Sequence, residues 1–164
     1  MVLISFNAGN SYMIELYTDG ASSGNPGPGG YGVILRSCKH YKELSEGFRK
    51  TTNNRMELLA VIKGLEALKN LKQDVMVYSD SKYVIDAIEK KWVYGWLQKG
   101  FKDKKNKDLW LRYLDISKLH NIRFTWVRGH NGHPENERCD QLAVASSKSK
   151  TLLIDSVFEA ENGM

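Results

Sequence analysis

No long apolar run occurs in this 164-residue chain, and none approaches the roughly 20 residues that cross a bilayer. The first ten residues hold neither Lys nor Arg and only a brief apolar stretch, which argues against a signal peptide. Cysteine is scarce. Cys38 and Cys139 are the only two, and nothing else suggests a secreted disulfide framework, so both are expected as free thiols in a reducing compartment. They also lie too far apart for a short-spaced zinc knuckle. A Gly-x-x-x-x-Gly-Lys phosphate loop is missing, which argues against an NTPase. There is no internal repeat and no long linker. These absences point to a cytoplasmic protein without a membrane partner, expected to be a monomer. It divides into an extension at 1–11, one domain at 12–147 and a tail at 148–164.

What is present is ordinary in amount and uneven in placement. The chain is 41% hydrophobic and 26% charged, with a net charge of +5. Between Lys90 and Arg112 eight cations face two acids, an excess of six, so the rest of the chain is close to neutral. Trp92, Tyr94, Trp96, Phe101 and Trp110 interleave with those cations. Such a mixture suits a polyanion with sugar and base faces, and equally a solvated helix pair whose aromatics pack inward.

Tyr12 to Gly20 reads as a strand that stops on Asp19, with a glycine-rich connection at 24–30 behind it. Tyr31 to Arg36 and Tyr41 to Arg49 follow as strands close enough to form an antiparallel meander. The period then changes. Leu58, Val61, Ile62, Leu65 and Leu68 mark an amphipathic helix from about Asn54 to Leu71. Strands at Val75 to Tyr78 and Ile122 to Val127 enclose helical patterns at Lys82 to Glu89, Trp92 to Gln98 and Lys107 to Leu119. Pro134 is placed to open a last helix. The fold class is therefore α/β, a five-stranded mixed sheet of a three-stranded meander and two parallel strands, flanked by helices. For the tail, a docked helix, a strand and a protein-binding segment all remain open.

Four acids come from four elements: Asp19, Glu57, Asp80 and Asp140. Each has an ordinary explanation. Asp-Gly starts turns, Glu57 stands three residues after Asn54 as in a capping box, Asp80 is placed to cap a helix, and Asp140 is near Arg138. Meeting at one sheet edge, however, they would repel one another unless cations were bound. Oxygen donors of this kind favour Mg²⁺ or Mn²⁺, and a pair of such ions serves phosphodiester hydrolysis. His130, in a glycine-flanked loop, is suited to carrying protons or to ordinary loop hydrogen bonding. His133 is expected at a helix entry, with His40 and His120 at the surface.

Tyr17-Thr18-Asp19-Gly20, Gly24-Asn25-Pro26-Gly27-Pro28-Gly29-Gly30-Tyr31-Gly32, Thr51-Thr52-Asn53-Asn54-Arg55-Met56-Glu57-Leu58, Tyr78-Ser79-Asp80-Ser81 and the run from Gly129 to Asp140 together resemble bacterial-type ribonuclease HI. The resemblance covers about residues 12 to 147. It implies the ribonuclease H-like fold and endonucleolytic cleavage of the RNA strand of RNA–DNA hybrids with two Mg²⁺ ions, which Mn²⁺ can replace. Products would carry 5′-phosphate and 3′-hydroxyl ends. It further implies that Asp19, Glu57, Asp80 and Asp140 hold the metals and that His130 assists proton transfer or product release. Asn25, Asn53 and Asn54 would contact RNA sugars and the hybrid backbone, and Thr52 a DNA phosphate. The segment with Trp92, Trp96, Lys99 and Lys102 would grip the DNA strand. Two other functions fit the same residues: a metal-dependent DNA nuclease or strand-transfer enzyme, and a non-catalytic hybrid-binding module.

Overall fold

Alternation along the central strand assigns each face of the sheet its own core. In the computed structural model, which describes residues 13–129 and 133–163, β1 spans Ile14–Ser22. Ile14 and Leu16 are sealed in the main core, whereas Tyr17 belongs to a second cluster with Ile34 and Cys139. Successive side chains thus serve opposite faces. On one side β1 pairs antiparallel with β2 (Gly27–Ser37), which pairs antiparallel with β3 (His40–Thr51). On the other it pairs parallel with β4 (Asp74–Ser79), which pairs parallel with β5 (Asn121–Trp126). The order β3-β2-β1-β4-β5 is the expected five-stranded mixed sheet.

Parallel neighbours require crossovers, and helices supply them. Helix α1 (Asn53–Glu66) leads into β4, while α2 (Lys82–Glu89), α3 (Trp92–Gln98) and α4 (Lys107–Ser117) lead to β5. Helix α1 packs on β1 and β2 and against α4, with Leu58, Ile62 and Leu65 fully buried. Each such side chain contributes roughly 1.5–3 kcal/mol. Helix α5 (Pro134–Ser147) crosses β1, β2 and β3 and covers the cluster of Tyr17, Ile34 and Cys139. It sits so close that a Cβ on Gly32 would lie 2.1 Å from the carbonyl oxygen of Cys139. Any side chain there would lift the helix off the sheet.

Some boundaries differ from expectation. Helix α1 stops at Glu66 rather than Leu71, because Ala67 closes it and the chain turns through Lys72, in the left-handed region, to enter β4. Leu68 stays buried outside the helix, which explains why the apolar period ran on. The glycine-rich connection is short, since Gly27 already pairs with Thr51 and Gly29 with Ser22. His120 is buried rather than at the surface, its Nδ1 accepting the backbone N–H of Gln73 at 3.2 Å. That burial lowers its pKa. Both cysteines are free.

The tail is docked. Leu153 bridges Phe48, with backbone bonds of 2.8 Å to Gly47 and 2.9 Å from Arg49, and a short helix α6 (Ser156–Glu161) follows. Among the described residues, no helix is long and apolar enough to cross a membrane.

Candidate metal centre and nucleic-acid interface

Strand register brings two of the acids together. Pairing of β1 with β4 ends at Tyr17 and Tyr78, whose rings stack with centroids 4.7 Å apart. Asp19 and Asp80 each stand two residues past that pair, so parallel strands carry both out at one end of the sheet. β1 itself does not end at Asp19. It runs on to Ser22, with Asp19 opposite Gly32 of β2, so the Asp-Gly pair makes no turn. Gly20 serves another purpose. A Cβ there would lie 2.4 Å from the backbone nitrogen of Glu57. Only glycine lets the first turn of α1 rest on the strand, which sets Glu57 beside Asp19.

Other residues occupy the ordinary roles that sequence offered these acids. Thr52, not Asn54, caps α1 by accepting the N–H of Arg55, which removes Glu57 from any capping box. Ser81, not Asp80, caps α2, accepting the N–H of Val84 at 3.2 Å. Arg138 pairs with Glu43 at 2.7 Å. Asp19, Glu57 and Asp80 therefore do not fill those ordinary roles.

Asp19, Glu57 and Asp80 offer carboxylate oxygens that all lie within 4.8 Å of one another. Asp19 is 7% exposed and Glu57 6%, and Oε2 of Glu57 is buried without a hydrogen-bond partner. Burial, then the charge of Asp80, pushes the pKa of Asp19 up to about 7, against a 2.9 Å hydrogen bond donated by the Gly20 N–H. Burial, then Asp19 and Asp80, raises Glu57 well above the usual range. Half-buried Asp140, one residue after Cys139 on α5, adds its charge to Asp19 but stands outside the three-acid group. His130 lies outside the described residues. His133 takes the N-cap position of α5, the helix entry expected of it.

Buried acids with an orphaned oxygen are costly in isolation and fit a hard divalent cation, which would satisfy both charge and lone pairs. The donor set is all oxygen, which suits Mg²⁺ or Mn²⁺ rather than zinc.

The substrate residues divide. Asn25 accepts the backbone N–H of Asn53 at 3.2 Å, which ties the loop after β1 to the start of α1. Asn25, Thr52 and Asn54 line a cavity of about 370 Å³ together with Lys104, Lys105 and Asn106. Lys99 and Lys102 are exposed and do not line it. Trp92 is exposed under the Lys90 ammonium, 5.1 Å from its ring centroid. Trp96 instead turns in against buried Trp110, with centroids 5.9 Å apart. The interleaved aromatics are therefore divided, Trp96 and Trp110 packing inward and Trp92 left on the surface.

Two neighbours of the site went unnoticed in the sequence. Asn106, before α4, looks like a helix cap, but its side chain donates to the Tyr83 hydroxyl and accepts from Arg55. Trp126 read only as a strand residue. It pairs with Ser79, and its Nε1–H donates to the carbonyl of Asp80 at 3.3 Å while the Lys82 ammonium sits 3.9 Å from a ring centroid. The parallel register was the signal that could have found it.

The family model for RNase H matches residues 11–148. A Ribonuclease H of Desulforamulus reducens is 59% identical over 147 residues, covering 87% of this chain and 92% of its own length. One from Rippkaea orientalis is 52% identical, covering 89% and 92%. LC9-RNase H1, a type 1 RNase H with the type 2 active-site motif, superposes with a TM-score of 0.77 at 30% identity, covering 96% of this chain and 84% of that one. LC11-RNase H1 in complex with an RNA/DNA hybrid gives 0.64 at 26% identity, covering 88% and 99%. Three acids at a sheet edge, the fold that carries them there and these likenesses agree: the chain belongs to the ribonuclease H family.

Proposed function

We propose that this protein is an endonuclease that hydrolyses the RNA strand of RNA–DNA hybrids, with Asp19, Glu57, Asp80 and Asp140 holding two Mg²⁺ ions that Mn²⁺ can replace. One observation carries the reading: three carboxylates meet within 4.8 Å, and one buried oxygen among them has no partner. The names of the curated relatives and the hybrid bound to LC11-RNase H1 support it. Divalent ions there would supply Lewis acidity and an activated water.

The chain's own residues do the rest. Gly20 orients Asp19 through its N–H and admits Glu57 beside it. Asn25, Asn53 and Asn54 present short amides that can sense a 2′-hydroxyl in a shallow minor groove. Thr52, Trp92, Lys99 and Lys102 hold the DNA strand through phosphate and sugar, which carry no sequence information, while Trp96 supports that surface by packing on Trp110. His130 moves a proton or assists product release. Oxygen from water bonds to phosphorus, the bond to the 3′-oxygen breaks, and 5′-phosphate and 3′-hydroxyl ends result.

Labelled RNA annealed to DNA, to RNA, or left single-stranded, alongside DNA–DNA duplex, with Mg²⁺ or EDTA, tests the proposal. Cutting confined to the RNA of the hybrid and lost in EDTA is expected. Equal cutting of single-stranded RNA or of all-DNA duplex would sink it, and hybrid binding without turnover would establish the binding module.

A further inference from the structure

We infer that the tail helix α6 forms an acidic wall of the hybrid's backbone-phosphate subsite, and that Glu161 holds the affinity of that subsite down. This rests on the ribonuclease reading and deepens it. The 370 Å³ cavity that Asn25, Thr52 and Asn54 share with Lys104 and Lys105 is also lined by Phe158, Glu161 and Asn162 of the tail. Its other walls are hydroxyl, amide and ammonium groups, the donors that bind phosphate oxygens. Lys105 forms no ion pair among the described residues, and Lys104 lies over the ring of Trp96. Their charge is therefore not cancelled within the protein.

The C-terminal end of α6 shares this cavity with them. A helix end of this kind carries partial negative charge, and Glu161, its last residue, adds a full one. Glu161 is exposed and makes no ion pair among the described residues, so it shares the cavity with the lysines without neutralising them. The wall cannot swing aside freely. Phe158 is buried with the Arg55 guanidinium 5.9 Å over its ring, Asp155 is bonded to Arg55, and Glu159 is bonded to Arg49. An anion in the cavity that takes the phosphate weakens binding, and weaker binding speeds release of cut hybrid.

The experiment compares the full-length protein with Glu161→Gln and Glu161→Lys on a labelled hybrid. The Gln variant should lower KM about two- to fivefold at low salt, and the Lys variant further, with the gain shrinking as salt rises. Hybrids bearing one uncharged methylphosphonate linkage at successive positions of the DNA strand locate the effect. At one position the gain from Glu161→Gln should vanish, because no charge is left for Glu161 to repel. A KM that stays level or rises in both variants, at unchanged Tm, overturns the inference, and so does a gain equal at every linkage position. Failure of the parent protein to cut hybrid would instead overturn the ribonuclease reading. In that case fluorescence anisotropy of the same hybrid in EDTA makes the comparison through Kd.

Discussion

Arg55 and Glu57 stand two residues apart near the start of α1, both nearly sealed from solvent at 2% and 6% exposure, and they meet opposite electrostatic fates. Arg55 is answered completely. Its Nε and Nη2 bond Asp155 at 2.7 and 2.9 Å, and its two Nη atoms bond Asp108 at 2.9 and 2.8 Å. Burial alone would lower its pKa, but these partners raise it, and Asp108 is lowered in turn. Glu57 faces Asp19 and Asp80 with one oxygen unpaired. A buried charge whose partners all come from the chain is structural. One whose neighbours share its sign is left open for something from outside.

The sharpest way to break this contrast is Asp19→Asn. Removing one of the three acids should cost at least about 10²-fold in kcat/KM on hybrid. In EDTA the same variant should be more stable than the parent at neutral pH. The folded-state pKa of Asp19 is raised from the ordinary 3.8 to about 7. The parent's Asp19 thus contributes stability that is fully present below about 4 and lost as pH rises through about 7. An amide does not ionise and loses nothing across that window. Thermal melts in EDTA between pH 4 and 8 check the sign: the Tm of the variant relative to the parent should rise with pH. Added Mg²⁺ should reverse the order above pH 7 by binding the parent more strongly. A parent Tm indifferent to both pH and Mg²⁺ would show that the acids are not frustrated.

Next in size is Arg55→Ala. It strands Asp155 and Asp108 beneath the tail and should destabilise the fold by roughly 3–5 kcal/mol, read from the urea midpoint. A cost under about 1 kcal/mol would mean that the tail docks without the network. Pairing Arg55→Met with Asp155→Leu should recover part of the loss, because the more deeply buried of the two stranded acids is then gone and only half-buried Asp108 is left without its cation.

Glu57 and Arg55 also separate what was legible in the sequence from what was not. The helix bearing both was visible in its apolar period, and the strands in their β-prone runs. The company of Asp19 and Asp80 follows once their strands are parallel neighbours. The capping of α1 was misassigned by two residues, because Thr52 and Asn54 are both good caps and only backbone geometry chooses between them. Gly20 looked like a turn former, since close approach of a helix leaves no local mark. The tail was undecided because its partners, Phe48 and Arg55, lie about a hundred residues away. Asp155 in isolation is simply an acid in a polar segment.

A third class of charge extends the contrast: exposed cations that form no ion pair among the described residues. Replacing Lys99, Lys102, Lys104 and Lys105 by Gln together should raise KM for hybrid roughly three- to tenfold and flatten its salt dependence. The urea midpoint should barely move, since all four are exposed. An unchanged salt slope would show that the segment does not meet phosphate at all.

The smallest effect tests whether the open site is held by register alone. Trp126 donates its Nε1–H to the backbone carbonyl of Asp80 at 3.3 Å, a long bond at a partly exposed position. Such a bond contributes about 0.5–1.5 kcal/mol at most. Trp126→Phe keeps a ring for the Lys82 ammonium but gives up the donor. With Asp80 less firmly placed, the Mg²⁺ concentration for half-maximal activity should rise about two- to threefold. KM for hybrid should stay level, since no base or phosphate contact is removed. A rise in KM without a shift in Mg²⁺ demand would move Trp126 from the acids to the substrate surface. No change in either would leave the pairing of β1 with β4 as sufficient to set Asp80 opposite Asp19.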